Sequence, residues 1–102
     1  MNDHKKLIGY LNIGVKAGKI VFGTDAILAW RKKVYGVIVC DSLSENAKRK
    51  LEYFSSDFEL PPVAVIPDGG LGKMINKESV RAIAITNKEL YTIIVDLIKS
   101  LG

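Results

Sequence analysis

The sequence is poor in the residues from which covalent and metal frameworks are built. Its 102 residues include one cysteine, Cys40, and one histidine, His4. A lone thiol excludes an intramolecular disulfide, and the lack of any Cys and His cluster excludes a zinc site. A cysteine nucleophile has only His4 to recruit as its base, and the apolar neighbours Val37, Ile38 and Val39 disfavour a thiolate. Core packing is the expected role of Cys40. No apolar run reaches the roughly 18 to 20 residues that a membrane-spanning helix requires. The opening Met1 to Lys6 does not read as a secretory signal, so a cytoplasmic protein with no membrane partner is expected. Carboxylates are not paired by spacing, and Asp41 reads as a turn residue ahead of a helix.

The glycine-rich stretch from Pro67 to Met74 invites comparison with a phosphate-binding loop. It has proline where that pattern needs its first glycine, and Met74 where it needs the magnesium-binding hydroxyl. A dinucleotide fingerprint fails at Ile75, which stands in place of the third glycine. No nucleotide, metal or other cofactor is therefore expected, and no residue is assigned a catalytic role.

What the chain does have is enough apolar material for one core: 48% of its residues are hydrophobic and 25% charged. Its length suits a single domain over residues 1–102. The formal charge of +4 is unevenly placed. Residues 1–34 carry seven basic and two acidic groups, a net +5, whereas the remainder carries eight basic and nine acidic, a net −1. The basic third favours an anionic partner.

Apolar periodicity predicts a helix from His4 to Lys16 through Leu7, Ile8, Leu11 and Val15, with Gly18 closing it in the left-handed conformation. Ile20 to Phe22 reads as a short strand. A second helix is expected from about Gly23, capped by Thr24 or Asp25, with Trp30 as a core residue and Arg31, Lys32 and Lys33 at its carboxyl end, where the helix dipole favours cations. Val37 to Cys40 is a β-branched run typical of a strand buried on both faces. Ser42 and Glu45 fit a capping box, predicting a helix to about Ser56. Val63 to Ile66 reads as a second buried strand, Leu71 to Asn76 as a short helix and Val80 to Thr86 as a long strand. Leu90 to Leu101 forms a closing amphipathic helix. Alternating strands and helices imply an α/β class chain, a three-layer α/β/α sandwich around a central mixed sheet.

Ligands of such sheets sit beyond the strand ends, which directs attention to the loops after Cys40 and Ile66 and to Gly18–Asp25. The last of these combines Lys19, two glycines that allow close backbone approach and a helix start with free amides, a combination suited to phosphate. Lys48 to Lys50, by contrast, read as a solvated helix face.

The segments from Leu7 to Tyr10, from Lys16 to Gly23 and from Val37 to Leu51, extended by Leu71-Gly72 and by Arg81 to Ile85, resemble the L-seven-Ae/L-thirty-e ribosomal protein family, especially its small bacterial members. The resemblance implies a non-enzymatic protein that binds structured RNA, such as a kink-turn or ribosomal RNA, in association with the ribosome and without binding DNA. It places the RNA site at a helix start carrying Gly-x-Asn-Glu, at a lysine further along that helix, and at a loop ahead of Leu-Gly. Lys16, Lys19, Gly23 and Thr24 are then the leading contacts, Arg31, Lys32 and Lys33 steer phosphates, and Gly70, Leu71 and Lys73 belong to the second loop. Asp25 stands at the asparagine position, Ala26 at the glutamate and Ala29 at the lysine. An ionised aspartate accepts hydrogen bonds but donates none. These departures define the alternative, a protein-interaction module on the same fold.

Overall fold

A computed structural model describes residues 3–66 and 70–101. The elements run α1 (Asp3–Lys16), β1 (Ile20–Phe22), α2 (Thr24–Ala29), β2 (Gly36–Cys40), α3 (Glu45–Asp57), β3 (Ala64–Ile66), α4 (Leu71–Met74), β4 (Ala82–Ile85) and α5 (Lys88–Leu101). The four strands form one mixed sheet in the order β1-β4-β2-β3. Interior β4 is antiparallel to both neighbours, with Ile85 opposite Ile20 of β1 and Gly36 of β2. β3 lies parallel to β2, with Ile66 beside Cys40.

β2 and β4 are buried along their whole length, as strands covered on both faces must be. Alternate side chains therefore feed two separate cores. Ile38, Cys40, Ile83 and Ile85 pack with Leu7 and Leu11 of α1 and with Leu90, Ile94 and Ile98 of α5. Val37, Val39, Ala82 and Ala84 pack with Ile27 of α2 and with Leu51 and Phe54 of α3. This is the α/β/α sandwich that the element pattern implies. Cys40 is 2% exposed, in keeping with a packing role. None of the described helices is long and apolar enough to cross a membrane.

Pairing direction fixes which loops meet. β1, β2 and β3 leave the sheet at one end, called here the exit end, where β4 begins. The Gly23 amide donates to the Ala82 carbonyl at 2.8 Å, the Cys40 amide to Arg81 at 2.9 Å and the Asp41 amide to Ile66 at 3.1 Å. The opposite, start end is closed by the Thr86 amide donating to Lys19 at 2.9 Å and the Tyr35 amide to Ile85 at 2.8 Å.

Several local expectations are corrected. α2 stops at Ala29 because Trp30 is extended (φ −70°, ψ 129°), so Arg31 to Lys33 lie beyond the helix rather than in its last turn. Its cap is Gly23, at φ 91° and ψ 150° with no side-chain cap bond, and Thr24 and Asp25 are already helical. Ser44, not Ser42, caps α3 by accepting from the Ala47 amide at 3.2 Å. Ser42 instead accepts from Arg81. β3 is an edge strand rather than a fully buried one, and Val65 is exposed. His4 lies in the first turn of α1, as the predicted helix from His4 to Lys16 requires. The expected turn at Pro67–Gly69 lies outside the described residues.

Candidate functional site

At the exit end, β1 passes into α2 through Gly23, whose positive φ is a conformation that L side chains rarely adopt. Thr24 is half-buried and Asp25 exposed just after it. The chain from Gly70 to Val80 then spans this end from β3 to β1. Leu71 is fully buried and anchors α4, so its side chain is withdrawn from any ligand, contrary to the expectation of a contact. The Asn12 side-chain amide fixes the end of α4 by donating to the Met74 carbonyl at 2.9 Å. Lys73 is exposed and lines a cavity of about 460 Å³ with His4, Ile8, Ile66 and Gly70.

Two cations not singled out from the sequence complete this end. The Lys77 ammonium lies 5.1 Å from the centroid of the Phe22 ring, and a cation held over an aromatic face is partly oriented before any partner arrives. Arg81, exposed at the start of β4, donates from its guanidinium to the Ser42 hydroxyl at 2.6 Å, which ties it to the loop after β2. Both belong to the part of the chain whose net charge is near zero, and so they escape a reading by charge. The usable signal is positional: Arg81 directly precedes the Ala82–Ile85 strand run. Cys40 Sγ and Ser42 Oγ are 3.0 Å apart in the same loop. Among the described residues, no group of three or more His, Cys, Asp or Glu side chains is placed to hold a metal.

The remaining sequence-predicted residues gather elsewhere. Lys16 ends α1 and Lys19 follows it, and Arg31, Lys32 and Lys33 precede β2, which places all five at the start end, all exposed. β1 and β2 are separated there by β4 alone, a span of roughly 10 Å. Lys19 and Gly23 stand at opposite ends of β1, roughly 13 Å apart at about 3.3 Å per residue. The structure thus sets Gly23, Thr24 and Asp25 beside β1 and Gly70 and Lys73 beside Ile66 of β3, at the same end of the sheet but at its two opposite edges, and places the five start-end cations at the other end.

Comparison with known proteins follows the same outline. A curated relative, the RNA-binding protein YlxQ of Enterococcus faecium, is 27% identical over 77 residues, covering 74% of this chain and 75% of that protein. A solved structure of a Bacillus halodurans protein of unknown function superposes with a TM-score of 0.76 at 21% identity, covering 92% of this chain and 97% of that one. The fold is therefore one already seen in bacteria. No protein-family model matches the chain.

The exit end offers a partner a bare backbone turn at Gly23 and, on the stretch between β3 and β4, the exposed cations Lys73, Lys77 and Arg81. The outward residues of α2, Asp25, Ala26 and Ala29, are exposed and carry no hydrogen-bond donor on their side chains. Contact with phosphate and sugar fits this surface better than hydrogen bonding to base edges from α2.

Proposed function

We propose that the chain is a non-enzymatic, cytoplasmic RNA-binding protein of the L-seven-Ae/L-thirty-e type that engages structured RNA, such as a kink-turn or ribosomal RNA, through the exit end of its sheet. The observation that carries this reading is the meeting of the Gly23 turn with Lys77, which lies over the ring of neighbouring Phe22, and with Arg81, next to the Ala82 carbonyl that the Gly23 amide bonds. The likeness to an RNA-binding protein from Enterococcus faecium supports it. Gly23 lets the RNA backbone approach closely, and the cations neutralise phosphates. Affinity then rests on shape and charge, with Asp25 and Ala26 supplying little base reading.

Binding of a kink-turn RNA at low salt tests the proposal. Lys77→Ala or Arg81→Ala should each weaken binding and reduce the slope of log K against log[salt] by about one phosphate's worth, roughly 0.9. Ser42→Ala, which frees Arg81 from its tether, should have a smaller effect. RNA affinity unchanged in both cation variants would sink the reading. The second reading, a protein-interaction module, is favoured by the donor-free outer face of α2. Recovery of protein partners that survives ribonuclease treatment would select it.

A further inference from the structure

The start end carries a feature that the exit-end reading does not use. A groove of about 430 Å³ lies between the end of α2 and the end of α3. Its walls are Trp30, Phe54, Phe58 and Leu60, and its rim is Arg31, Lys32 and Lys33. We propose that this groove is a second binding site, one that takes a nucleotide of single-stranded RNA, with the base against Phe58 and Trp30 and the phosphates on the three cations. The proposal shares with the preceding one only the premise that the ligand is RNA.

Three observations carry it. Phe58, at the carboxyl cap of α3, is 60% exposed. One side of its ring is fixed against Phe54, with centroids 4.9 Å apart and a 48° tilt, so the ring has a set position and water over much of its surface. A preset aromatic face beside cations is the arrangement on which unpaired bases stack, and every base has a π-face to offer. Second, the Trp30 indole nitrogen is buried without a hydrogen-bond partner. Unpaired buried donors are uncommon in native proteins. The nitrogen is covered in the unliganded fold, and a shift of the indole that opens it to the groove would let it donate to the carbonyl or ring-nitrogen acceptor of a base edge.

Third, the charge around the groove suits a polyanion. All three rim residues are cationic and exposed, and Lys33 lies 5.3 Å from the Tyr35 ring centroid, which orients it. Lys16 and Lys19 stand at the same end and can extend a phosphate path beyond the rim. Asp57 and Glu59 flank Phe58 in sequence and are exposed, but they do not line the groove. An acidic peptide would satisfy the cations, yet the three aromatic rings match a planar base better than a main chain.

Trp30 is the only tryptophan, so its fluorescence reports on this site alone. Titration with a short oligoadenylate at low salt should quench it saturably. Phe58→Ala should weaken that binding by about 5- to 150-fold, the loss expected for one stacked base, while Phe58→Tyr restores it. Replacing Arg31, Lys32 and Lys33 together by Ala, all on the surface, should lower the salt slope by about 2. Inorganic polyphosphate should compete for the rim without quenching. Lys77→Ala and Arg81→Ala should leave the oligoadenylate response intact.

The proposal is overturned by full affinity for oligoadenylate in Phe58→Ala, by a polyphosphate quench equal to that of oligoadenylate, or by an equal response to polyglutamate, which would assign the groove to an acidic protein. Kink-turn binding with no oligoadenylate response would overturn this inference and leave the exit-end function standing. An oligoadenylate response without kink-turn binding would do the reverse.

Discussion

Replacing Gly72 by Ala tests how tightly the exit end is built. A Cβ added at Gly72 would lie 2.9 Å from the Lys77 carbonyl oxygen, 3.0 Å from that of Glu78 and 3.1 Å from the Glu78 Cα. All three are backbone atoms, so no side chain can rotate aside and the turn after α4 must move. The Lys77 amide also donates to the Gly72 carbonyl at 2.8 Å, which couples the two segments directly. Overpacking of this kind costs about 1–3 kcal/mol, and the better helix propensity of alanine returns up to about 1 kcal/mol. A net loss of about 1–2 kcal/mol corresponds to a fall in Tm of about 5–15 °C for a chain of this size. Thermal unfolding followed by circular dichroism measures it. RNA affinity should fall further than stability alone dictates, because the displaced turn carries Lys77 off the Phe22 ring. A variant that melts at or above the wild-type temperature would refute the reasoning.

Gly9→Ala should act in the opposite direction, since an added Cβ there meets nothing within 4 Å, and stability should rise by up to about 1 kcal/mol in a denaturant titration. Ser44→Ala removes the α3 cap and should cost about 1 kcal/mol by the same measurement, whereas Ser42→Ala should spare the helix start. Burial pushes the Tyr91 phenol above the ordinary tyrosine range. The fold therefore holds that proton more tightly than the unfolded chain. Stability from this source is complete below the ordinary value near 10 and is lost as pH rises through the raised folded value, so Tyr91→Phe should flatten the alkaline decline seen in urea unfolding. Cys40, with its side chain in the core, should react with a thiol reagent only as fast as the fold opens; rapid labelling of the native protein would contradict its burial.

The legible parts of the fold were those fixed by local pattern. Val37 to Cys40 announces a doubly covered strand because four consecutive apolar residues have no face to offer water, and Leu90 to Leu101 announces its helix by spacing. Ala26 to Trp30 keeps helical spacing and so carries the predicted α2 through the tryptophan, whereas the extended backbone at Trp30 turns the chain towards β2. Ser42 and Ser44 are both acceptable caps by composition. Arg81, distant in sequence, engages the first and leaves the second to the helix. Val65 looked buried because a β-branched run does not reveal whether its strand lies inside a sheet or at the edge.

The candidate site was half legible for the same reason. Gly23 and the segment around Lys73 could be found as loops, but the strand order that opposes them to Lys16, Lys19 and Arg31–Lys33 is a non-local fact. Grouping residues by charge merged two surfaces that β1 holds apart. Lys77 and Arg81 gain their meaning only when β4 pairs between β1 and β2.

The sheet also acts as a wall between two interiors. Ile38 and Cys40 belong to the core of α1 and α5, Val37 and Val39 to that of α2 and α3, and no described side chain belongs to both. Packing changes on one side should combine with changes on the other by simple addition, because coupling energies arise among groups that share neighbours. The two halves of the molecule can consequently drift separately in evolution. The layer formed by α2 and α3 can take a different surface chemistry while the α1 and α5 layer keeps its packing, and Asp25, Ala26 and Ala29 all lie in the first of these layers.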